Sequence, residues 1–226
     1  MRENPLIVED LMLLMFDDES GAIAGAGTLY YTLGGAVLVE LAQAGRVRVD
    51  AHDRTLNGLR VHSVAGEPLS DPVLRAAGEK TAERVRGVQT LLIELGTGLR
   101  LRETVLDRLV ERGMLRRESK RRWGVFRTTA TRAADTRHKE ALVKRVRAVL
   151  IDGEEPDDRT AALIALLSAS GTLPSLHRVI PWSGAVHTRA KRLEQASWSA
   201  AAVNTAVLRT VAAAAAGAGT AAAVTS

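Results

Sequence analysis

The stretch LGGAVLVELAQAGRVRVD (Leu33–Asp50) decides how this chain folds. In its first ten residues, apolar side chains recur at the spacing of one helical face, and small or apolar residues fill most of the opposite face. A helix that is apolar nearly all round packs in the middle of a bundle. Gly45 then ends the helix, and Arg46–Asp50 alternates with period two, as a half-exposed strand does. The stretch therefore predicts a central helix that runs into a β-strand.

The composition predicts a globular protein with an aliphatic, helical core. The chain has 226 residues, of which 46% are hydrophobic and 3% are aromatic, so Leu, Val and Ala must fill the core. The order of periodic segments predicts a mainly α fold: a single-domain helical bundle ringed by amphipathic helices, with one or two short β-hairpins. We expect this domain at residues 1–215 and a disordered Ala/Gly-rich tail at 216–226.

Shorter signals along the chain predict further elements. The strand Arg46–Asp50 and a second short strand at Leu59–Val64 predict a first hairpin, with a turn at His52–Gly58. Asp71 followed by Pro72 predicts the start of a helix that runs to about Arg86. Two more helices are predicted at Asp135–Ile151 and Ser199–Ala215, and residues 171–183 are interpreted as a connector.

The sequence carries no pattern typical of catalysis or metal binding. It has no cysteine, its five histidines are scattered, and it lacks the glycine-rich and nucleophile motifs of common enzymes. Glu40 is the one charge inside the central helix, and we interpret it as a carboxylate at the bundle edge or paired with an arginine. We therefore expect no cofactor, no metal site and no enzymatic activity.

Two apolar segments bear on localisation. The first residues, MRENPLIVED, have no apolar core of signal-peptide length before Glu9 and Asp10. The run Thr210–Val224 is mostly alanine and is shorter than the ~20 residues that a bilayer requires. We expect a cytoplasmic protein that associates with membranes only peripherally.

The net charge of +5 is distributed unevenly along the chain. Residues 100–147 contain 16 Lys or Arg against 6 Asp or Glu, a local excess of +10, so the remainder of the chain sums to −5. Such a basic region is expected of a protein with an anionic partner, either nucleic acid or an acidic membrane surface. The alternative is an ordinary solvated helix surface.

The centre of the basic region predicts an amphipathic helix followed by a hairpin. In Leu99–Arg112, leucines face inward and charged residues, Arg100 and Arg108 among them, face outward. The next segment predicts a β-hairpin with a cationic tip at Arg116–Arg122 and Trp123 close by.

Three functions are compatible with this arrangement. A winged-helix DNA-binding protein has such a helix and wing, but this helix offers almost no Asn, Gln or Ser to read bases. A peripheral membrane protein would use the arginines for headgroups and Trp123, Val125 and Phe126 at the interface. A protein–protein adaptor would display the basic helices to an acidic partner. Trp123 could instead cover the bundle or lie in a dimer contact.

Five segments, in this order along the chain, resemble the Golgi phosphoprotein 3 family. They are EDLMLL (Glu9–Leu14), LGGAVLVELAQAGRV (Leu33–Val47), LRETVLDRLVERGML (Leu101–Leu115), RTAALIALLSAS (Arg159–Ser170) and HTRAKRLEQ (His187–Gln195). The resemblance covers the chain from about Glu9 to Ala215. It implies a helical domain with a projecting hairpin that serves self-association and membrane contact. Eukaryotic members bind phosphatidylinositol 4-phosphate and hold glycosyltransferases through their cytosolic tails.

The resemblance also implies where a headgroup would bind. The family's pocket has a tryptophan before the central helix, where this chain has small residues near Gly25, and an arginine where this chain has Gly34. Of two later arginines, one corresponds to Arg102 and the other to Leu99, beside Arg100. We therefore expect anionic-lipid binding that is less specific than recognition of phosphatidylinositol 4-phosphate.

These considerations give the following assignments. The predicted headgroup-binding residues are Arg100, Arg102, Arg121 and Arg122, and the predicted membrane or oligomer contacts are Trp123, Val125 and Phe126. The expected partners are an anionic phospholipid surface, further copies of the chain through the hairpin, and a client membrane protein. Nucleic acid is the less favoured partner.

Overall fold

We analysed a computed structural model that describes residues 4–122, 126–195 and 212–213, with side chains except at 50, 51, 54, 119–122 and 126–129. The described chain is mainly α-helical, as predicted, with five short strands. The helices are Ile7–Met15 (α1), Leu29–Gln43 (α2), Pro72–Ala82 (α3), Val88–Gly98 (α4), Leu101–Glu111 (α5), Arg137–Arg147 (α6), Asp158–Ala169 (α7) and Gly184–Gln195 (α8). The strands are Val47–Thr55 (β1), Gly58–Ser63 (β2), Arg86–Gly87 (β3), Leu115–Arg122 (β4) and Phe126–Ala133 (β5).

The predicted central helix is confirmed as α2. It packs against α1, α3, α4, α5 and α7, and its leucines and valines are almost completely buried. α1 is buried even more thoroughly, because every residue from Ile7 to Met15 lies in the interior, including Glu9 and Asp10. Burial of each large aliphatic side chain contributes roughly 1.5–3 kcal/mol before entropy is subtracted. The two helices therefore form the centre of the core.

The first hairpin is longer than predicted. Val49 pairs with Val61, as expected, but the predicted turn at His52–Gly58 is wrong because β1 continues to Thr55. A bulge between Val49 and Arg54 absorbs the additional residues. Within it, the Asp53 carboxylate accepts hydrogen bonds from Arg60 at 3.0 Å and lies 2.9 Å from His62 Nε2.

Two α-helices end earlier than the sequence predicts. α3 begins as predicted, with the Asp71 carboxylate accepting from the Val73 amide at 2.8 Å. It ends at Ala82 instead of about Arg86, because Arg86 and Gly87 pair with β2. The predicted helix Asp135–Ile151 is α-helical only to Arg147 and continues as a π-helical turn, Ala148–Asp152.

The second hairpin, β4–β5, is confirmed, but the prediction that Arg116–Arg122 forms its tip is wrong, because these residues belong to strand β4. Its strands pair in continuous antiparallel register from Leu115 opposite Ala133 to Arg122 opposite Phe126. The predicted closing helix Ser199–Ala215 lies outside the described residues except at 212–213, and the tail 216–226 lies wholly outside them. The domain boundaries therefore stay predictions. None of the helices in the described part of the chain combines the length and hydropathy needed to cross a bilayer.

Three connections meet at one end of the bundle, which we call the loop end. They are residues 16–28, the α4–α5 turn at 97–100, and the connector at 170–183 that contains a 3-10 turn, Leu173–Leu176. Gly25 packs beside Thr172, and Gly96 packs against the main chain of Tyr30. At the opposite end, the Ile7 amide that begins α1 donates to Glu40 near the end of α2, at 3.0 Å.

Candidate anion-binding site

The α4–α5 turn places two arginines at the start of α5. The amide of Arg100 donates to the Thr97 carbonyl at 3.1 Å, and the Thr104 hydroxyl donates to the Leu99 carbonyl at 3.1 Å. Arg100 has φ 48° and ψ 46°, and no other non-glycine residue in the described ranges has a positive φ. This conformation disfavours a residue with a Cβ atom by roughly 1–2 kcal/mol, so the surrounding turn must hold it in place.

Arg100 and Arg102 are both exposed, on either side of the fully buried Leu101. Their guanidinium groups make no hydrogen bond or ion pair with the residues that the structure describes. No side chain caps the start of α5, so its first amides and the positive end of the helix dipole add to the arginine charges, while the exposed Glu103 in the same turn offsets one of them. The arrangement can hold an anion.

The surroundings of the two arginines belong to the loop end. Gly96, one helical turn before Arg100, lies against the main chain of Tyr30 in the first turn of α2. The Tyr30 and Tyr31 rings lie 4.8 Å apart between centroids. The starts of α2 and α5 are therefore neighbours, as a shared headgroup site would require.

The arginines at the far end of α5 point inward. Arg108 donates to Asp71 at 2.7 Å and to Glu9 at 3.3 Å, and Arg112 donates to Glu9 at 2.7 Å. The prediction that Arg108 faces solvent is wrong, because α1 presents the fully buried Glu9 carboxylate to this side of α5. Lys139 on α6 is also buried and donates to Asp18 at 2.8 Å. The basic region therefore does not form one continuous exposed surface.

Other arginines of the region are exposed but paired. Arg116 lies 2.8 Å from Glu118, Arg117 binds Asp107, and Arg137 donates to Asp135. The hydrogen bonds from Arg137 lower the pKa of Asp135 to about 2. Exposed pairs of this kind contribute little to stability, but they partly neutralise the charge that an anionic partner would meet.

The comparison with protein families decides the chain's membership. The family model for Golgi phosphoprotein 3 (GPP34) matches residues 7–210, which is most of the chain. The chain belongs to the Golgi phosphoprotein 3 family. A comparison with curated proteins gives no significant match.

Gly34, which stands where the resemblance implies an arginine, lies at a close crossing of two helices. A Cβ atom at Gly34 would collide with the carbonyl oxygen of Leu92, since α2 and α4 cross there at close range. Backbone cannot move aside as the end of a flexible side chain can. This position therefore serves helix packing in this family member.

Some of the hairpin residues predicted for this site lie outside the part of the chain that the structure describes. Arg121, Arg122 and Phe126 belong to strands whose pairing is described, but their side chains are not. Trp123 and Val125 lie outside the described residues. Their predicted roles in membrane or oligomer contact stay predictions.

Sequence reasoning missed a buried ionic cluster around α1. Glu9 accepts from the Leu6 amide at 2.7 Å as well as from two arginines, and Asp10 lies 2.8 Å from Arg159 Nε and 2.6 Å from His138 Nε2. The signal was present as two acidic residues inside the apolar run LIVEDLMLLM (Leu6–Met15). Carboxylates that are forced into the core must find cations there.

Glu40 extends this acidic environment without a direct cation. Its carboxylate accepts the Ile7 amide, and burial raises the pKa of Glu40 to about 7. Asp71 and Glu9 raise the pKa further, whereas Arg159 and the Ile7 hydrogen bond lower it. Of the two interpretations from the sequence, the bundle edge fits better than a paired carboxylate: Glu40 is half-buried, and its described hydrogen bond is with the Ile7 amide.

Proposed function

We propose that this protein is a non-catalytic adaptor that docks peripherally on anionic membrane surfaces through Arg100 and Arg102. The observation that carries the proposal is the pair of exposed guanidinium groups without partners among the described residues, at an uncapped helix start. Arginines near an acidic membrane surface contribute ~1 kcal/mol each. Two of them, with the helix dipole, give weak and reversible docking.

Membership of the Golgi phosphoprotein 3 family supports the proposal. The resemblance places a headgroup pocket at the start of α2 and at the α4–α5 turn, and the start of α2 contacts Gly96, the residue just before that turn. The small residues near Gly25 and the packed Gly34 remove two side chains of that pocket. We therefore propose recognition of negative charge, without preference for phosphatidylinositol 4-phosphate over other anionic lipids.

Self-association and a client protein complete the proposed adaptor role. Self-association through the β4–β5 hairpin would multiply the number of arginine sites on one membrane. A client would be a membrane protein whose cytosolic segment binds the assembled protein. Arg121, Arg122, Trp123, Val125 and Phe126 are proposed to serve at the hairpin.

Vesicle sedimentation tests the lipid interaction. The protein is incubated with vesicles of phosphatidylcholine alone, or of phosphatidylcholine mixed with phosphatidylglycerol or with phosphatidylinositol 4-phosphate at matched surface charge. We expect sedimentation with both anionic vesicles to the same degree, and loss of binding as salt screens the charges. Equal sedimentation with neutral vesicles would contradict the proposal.

Paired variants assign the binding to the site. Replacing Arg100 and Arg102 by Gln should lower affinity for anionic vesicles by about 30-fold, from two contributions of ~1 kcal/mol. The matched control replaces Arg116 and Arg137 by Gln, because these exposed arginines already bind Glu118 and Asp135. An equal loss in both variants would show that only total charge matters. Retarded duplex DNA with a steep salt dependence would instead favour the winged-helix alternative.

A further inference from the structure

The tip of the first hairpin joins an exposed asparagine to a glycine. Leu56 and Asn57 form the turn after β1, and Gly58, with φ 89°, begins β2 opposite Thr55. Asn57 is exposed, and its side-chain amide makes no hydrogen bond with the residues that the structure describes. Because Gly58 has no Cβ atom, it carries no side chain that would hinder the approach of its own nitrogen to the Asn57 side chain.

This pair of residues can cyclise by a reaction that needs only water and base. After the Gly58 amide loses its proton to solvent, its nitrogen attacks Asn57 Cγ. The bond between the Gly58 nitrogen and Cγ forms, the bond between Cγ and Nδ2 breaks, and ammonia leaves with a proton from water. Water then opens the five-membered succinimide at either carbonyl, which gives an aspartyl residue or its β-linked isomer, isoaspartate.

The other two asparagines of the chain are poorer candidates for this reaction. Asn4 precedes Pro5, whose nitrogen carries no proton to lose. Asn204 precedes Thr205, whose branched Cβ atom crowds the attacking nitrogen. Asn57 is therefore the asparagine that we expect to react first.

One aspartate–glycine pair provides an internal comparison. Asp152 precedes Gly153 and can form the same ring with loss of water, but the Gly153 amide already donates to the Ala148 carbonyl at the end of the π-helical turn. A carboxylate is also a poorer electrophile than a carboxamide. This pair should therefore isomerise more slowly than Asn57 deamidates.

The main chain of the hairpin tip is tied to the start of α4. The Asn57 amide donates to the Thr55 hydroxyl at 3.1 Å, and the Asn57 carbonyl accepts from the Gln89 amide at 3.1 Å. A Cβ atom at Gly87 would lie 2.7 Å from the Asn57 carbonyl oxygen and 2.9 Å from Asn57 Cβ. The tip therefore packs against β3 and α4 without spare space.

Isoaspartate does not fit this packing. Its main chain runs through the former side-chain atoms Cβ and Cγ and is longer by one methylene group. Asn57 Cβ already lies beside Gly87, so the longer main chain has no space on that side. The isomer therefore loses the pairing of Thr55 with Gly58, or the hydrogen bond from Gln89, or both.

We propose that Asn57–Gly58 is a site of spontaneous deamidation and isomerisation, and that the isoaspartyl product releases the β1–β2 tip from the start of α4. In the folded protein the hydrogen bonds of the tip hold its main chain, so cyclisation proceeds when the tip opens locally. Each product carries one carboxylate more than the parent protein. The modification does not depend on docking to a membrane.

Peptide mapping of the full chain tests the modification. After incubation at mildly alkaline pH, trypsin releases residues 55–60 as one peptide, because Arg54 and Arg60 precede its two ends. We expect this peptide to gain the mass difference between a hydroxyl and an amino group, and to accept methyl groups from an isoaspartyl methyltransferase. The peptide 148–159, which contains Asp152, should accept fewer.

Two controls make the mapping decisive. Asn57→Gln would have to close a six-membered ring, so its peptide should stay unmodified. The parent chain unfolded in urea should convert faster than the folded protein, because its tip is always open. An unmodified peptide 55–60 from the folded protein, over a time in which the unfolded chain is converted, would overturn the proposal.

Hydrogen exchange measured by NMR tests the release of the tip. The modified fraction is separated by ion exchange, since it has gained negative charge. Exchange of its Gln89 amide should be about fivefold faster than in fresh protein, which is the worth of one backbone hydrogen bond. The Thr104 amide, which donates to the Arg100 carbonyl at 3.0 Å, is the control and should not change. Unchanged exchange at Gln89 in protein that contains isoaspartate would overturn the release of the tip.

Discussion

Helix α5 carries arginines at both of its ends, and the two ends lie in opposite environments. Arg108 and Arg112 near its end bind the buried carboxylates of Glu9 and Asp71. Arg100 and Arg102 at its start are exposed, with no carboxylate partner among the described residues. Arginine therefore stabilises the core at one end of α5 and is available to a partner at the other end.

The difference teaches that a local excess of positive charge does not by itself define a binding surface. What separates the two pairs is the element that faces them. α1 brings acidic residues against the end of α5, whereas its start follows a tight turn beside Gly96 and Tyr30. A charge is available for binding only where the fold supplies no counter-charge.

Glu9→Ala should give the largest effect on stability. The change removes the carboxylate that Arg108 and Arg112 share, and leaves the Leu6 amide without its acceptor. Breaking a buried ion pair from one side costs about 3–5 kcal/mol, so the free energy of unfolding in urea should fall by that amount. Glu111→Ala, an exposed acid on α5, is the control and should change it by less than about 0.5 kcal/mol. Similar effects for the two variants would contradict the division of α5 into a structural end and a binding end.

Much of the fold followed from periodicity, and the orientation of the charges did not. The central helix, the cap at Asp71 and both hairpins could be predicted because their signals are local. The inward direction of Arg108 depends on Glu9, which is 99 positions away in the sequence. No helical pattern within α5 contains that information.

The candidate site was predictable to a similar extent. The exposure of Arg100 followed from the amphipathic pattern, whereas Arg102 was named only through the family resemblance, which also pointed to the start of α2 and the α4–α5 turn. The exposure of Val179 and Trp182 was not predicted, because residues 171–183 give only the signal of a loop between helices. The backbone at Val179 is held by local hydrogen bonds to the Leu176 carbonyl and by a tertiary hydrogen bond from Arg147, and the sequence indicates neither.

Glu40→Gln should remove a pH dependence of stability that arises from the Glu40 carboxylate. Because the pKa of Glu40 is about 7 in the folded protein, above its ordinary 4.5, the folded state binds the proton more tightly than the unfolded state. Stability from this group is therefore complete below about pH 4.5, and is lost as the pH rises through about 7. The difference between a pKa of 4.5 and one of about 7 corresponds to about 3 kcal/mol.

The measurement is urea unfolding at several pH values. Gln keeps an acceptor for the Ile7 amide but does not ionise, so the variant should exceed the parent protein in stability by about 3 kcal/mol at pH 8 and by less than about 1 kcal/mol at pH 5. Glu103→Gln, at an exposed position on α5, should show no such crossover. A parent protein whose stability does not change between pH 5 and pH 8 relative to the Gln variant would contradict the buried, raised pKa.

Gly34→Ala tests the close packing of α2 against α4. The added Cβ atom would meet the Leu92 carbonyl oxygen, so α2 and α4 must separate. Overpacking of this kind costs typically about 1–3 kcal/mol, measured as a lower midpoint of thermal unfolding. Gly98→Ala is the control, since a Cβ atom at Gly98 meets nothing within 4 Å. Equal stability of the two variants would mean that this crossing is loose and could accept the arginine.

Arg100→Gly should give the smallest change in stability, and in the opposite direction. The left-handed conformation of Arg100 disfavours any residue with a Cβ atom, so Gly relieves about 1 kcal/mol of strain, less its greater entropy in the unfolded chain. The same change removes one exposed cation and should lower affinity for anionic vesicles by about fivefold. Arg102→Gly is the matched control: it removes an equal charge from inside α5, where Gly costs about 1 kcal/mol. Both variants should bind vesicles equally weakly while their unfolding midpoints move apart. If Arg100→Gly instead destabilises the protein, the Arg100 side chain supports the turn and is not simply held there for a partner.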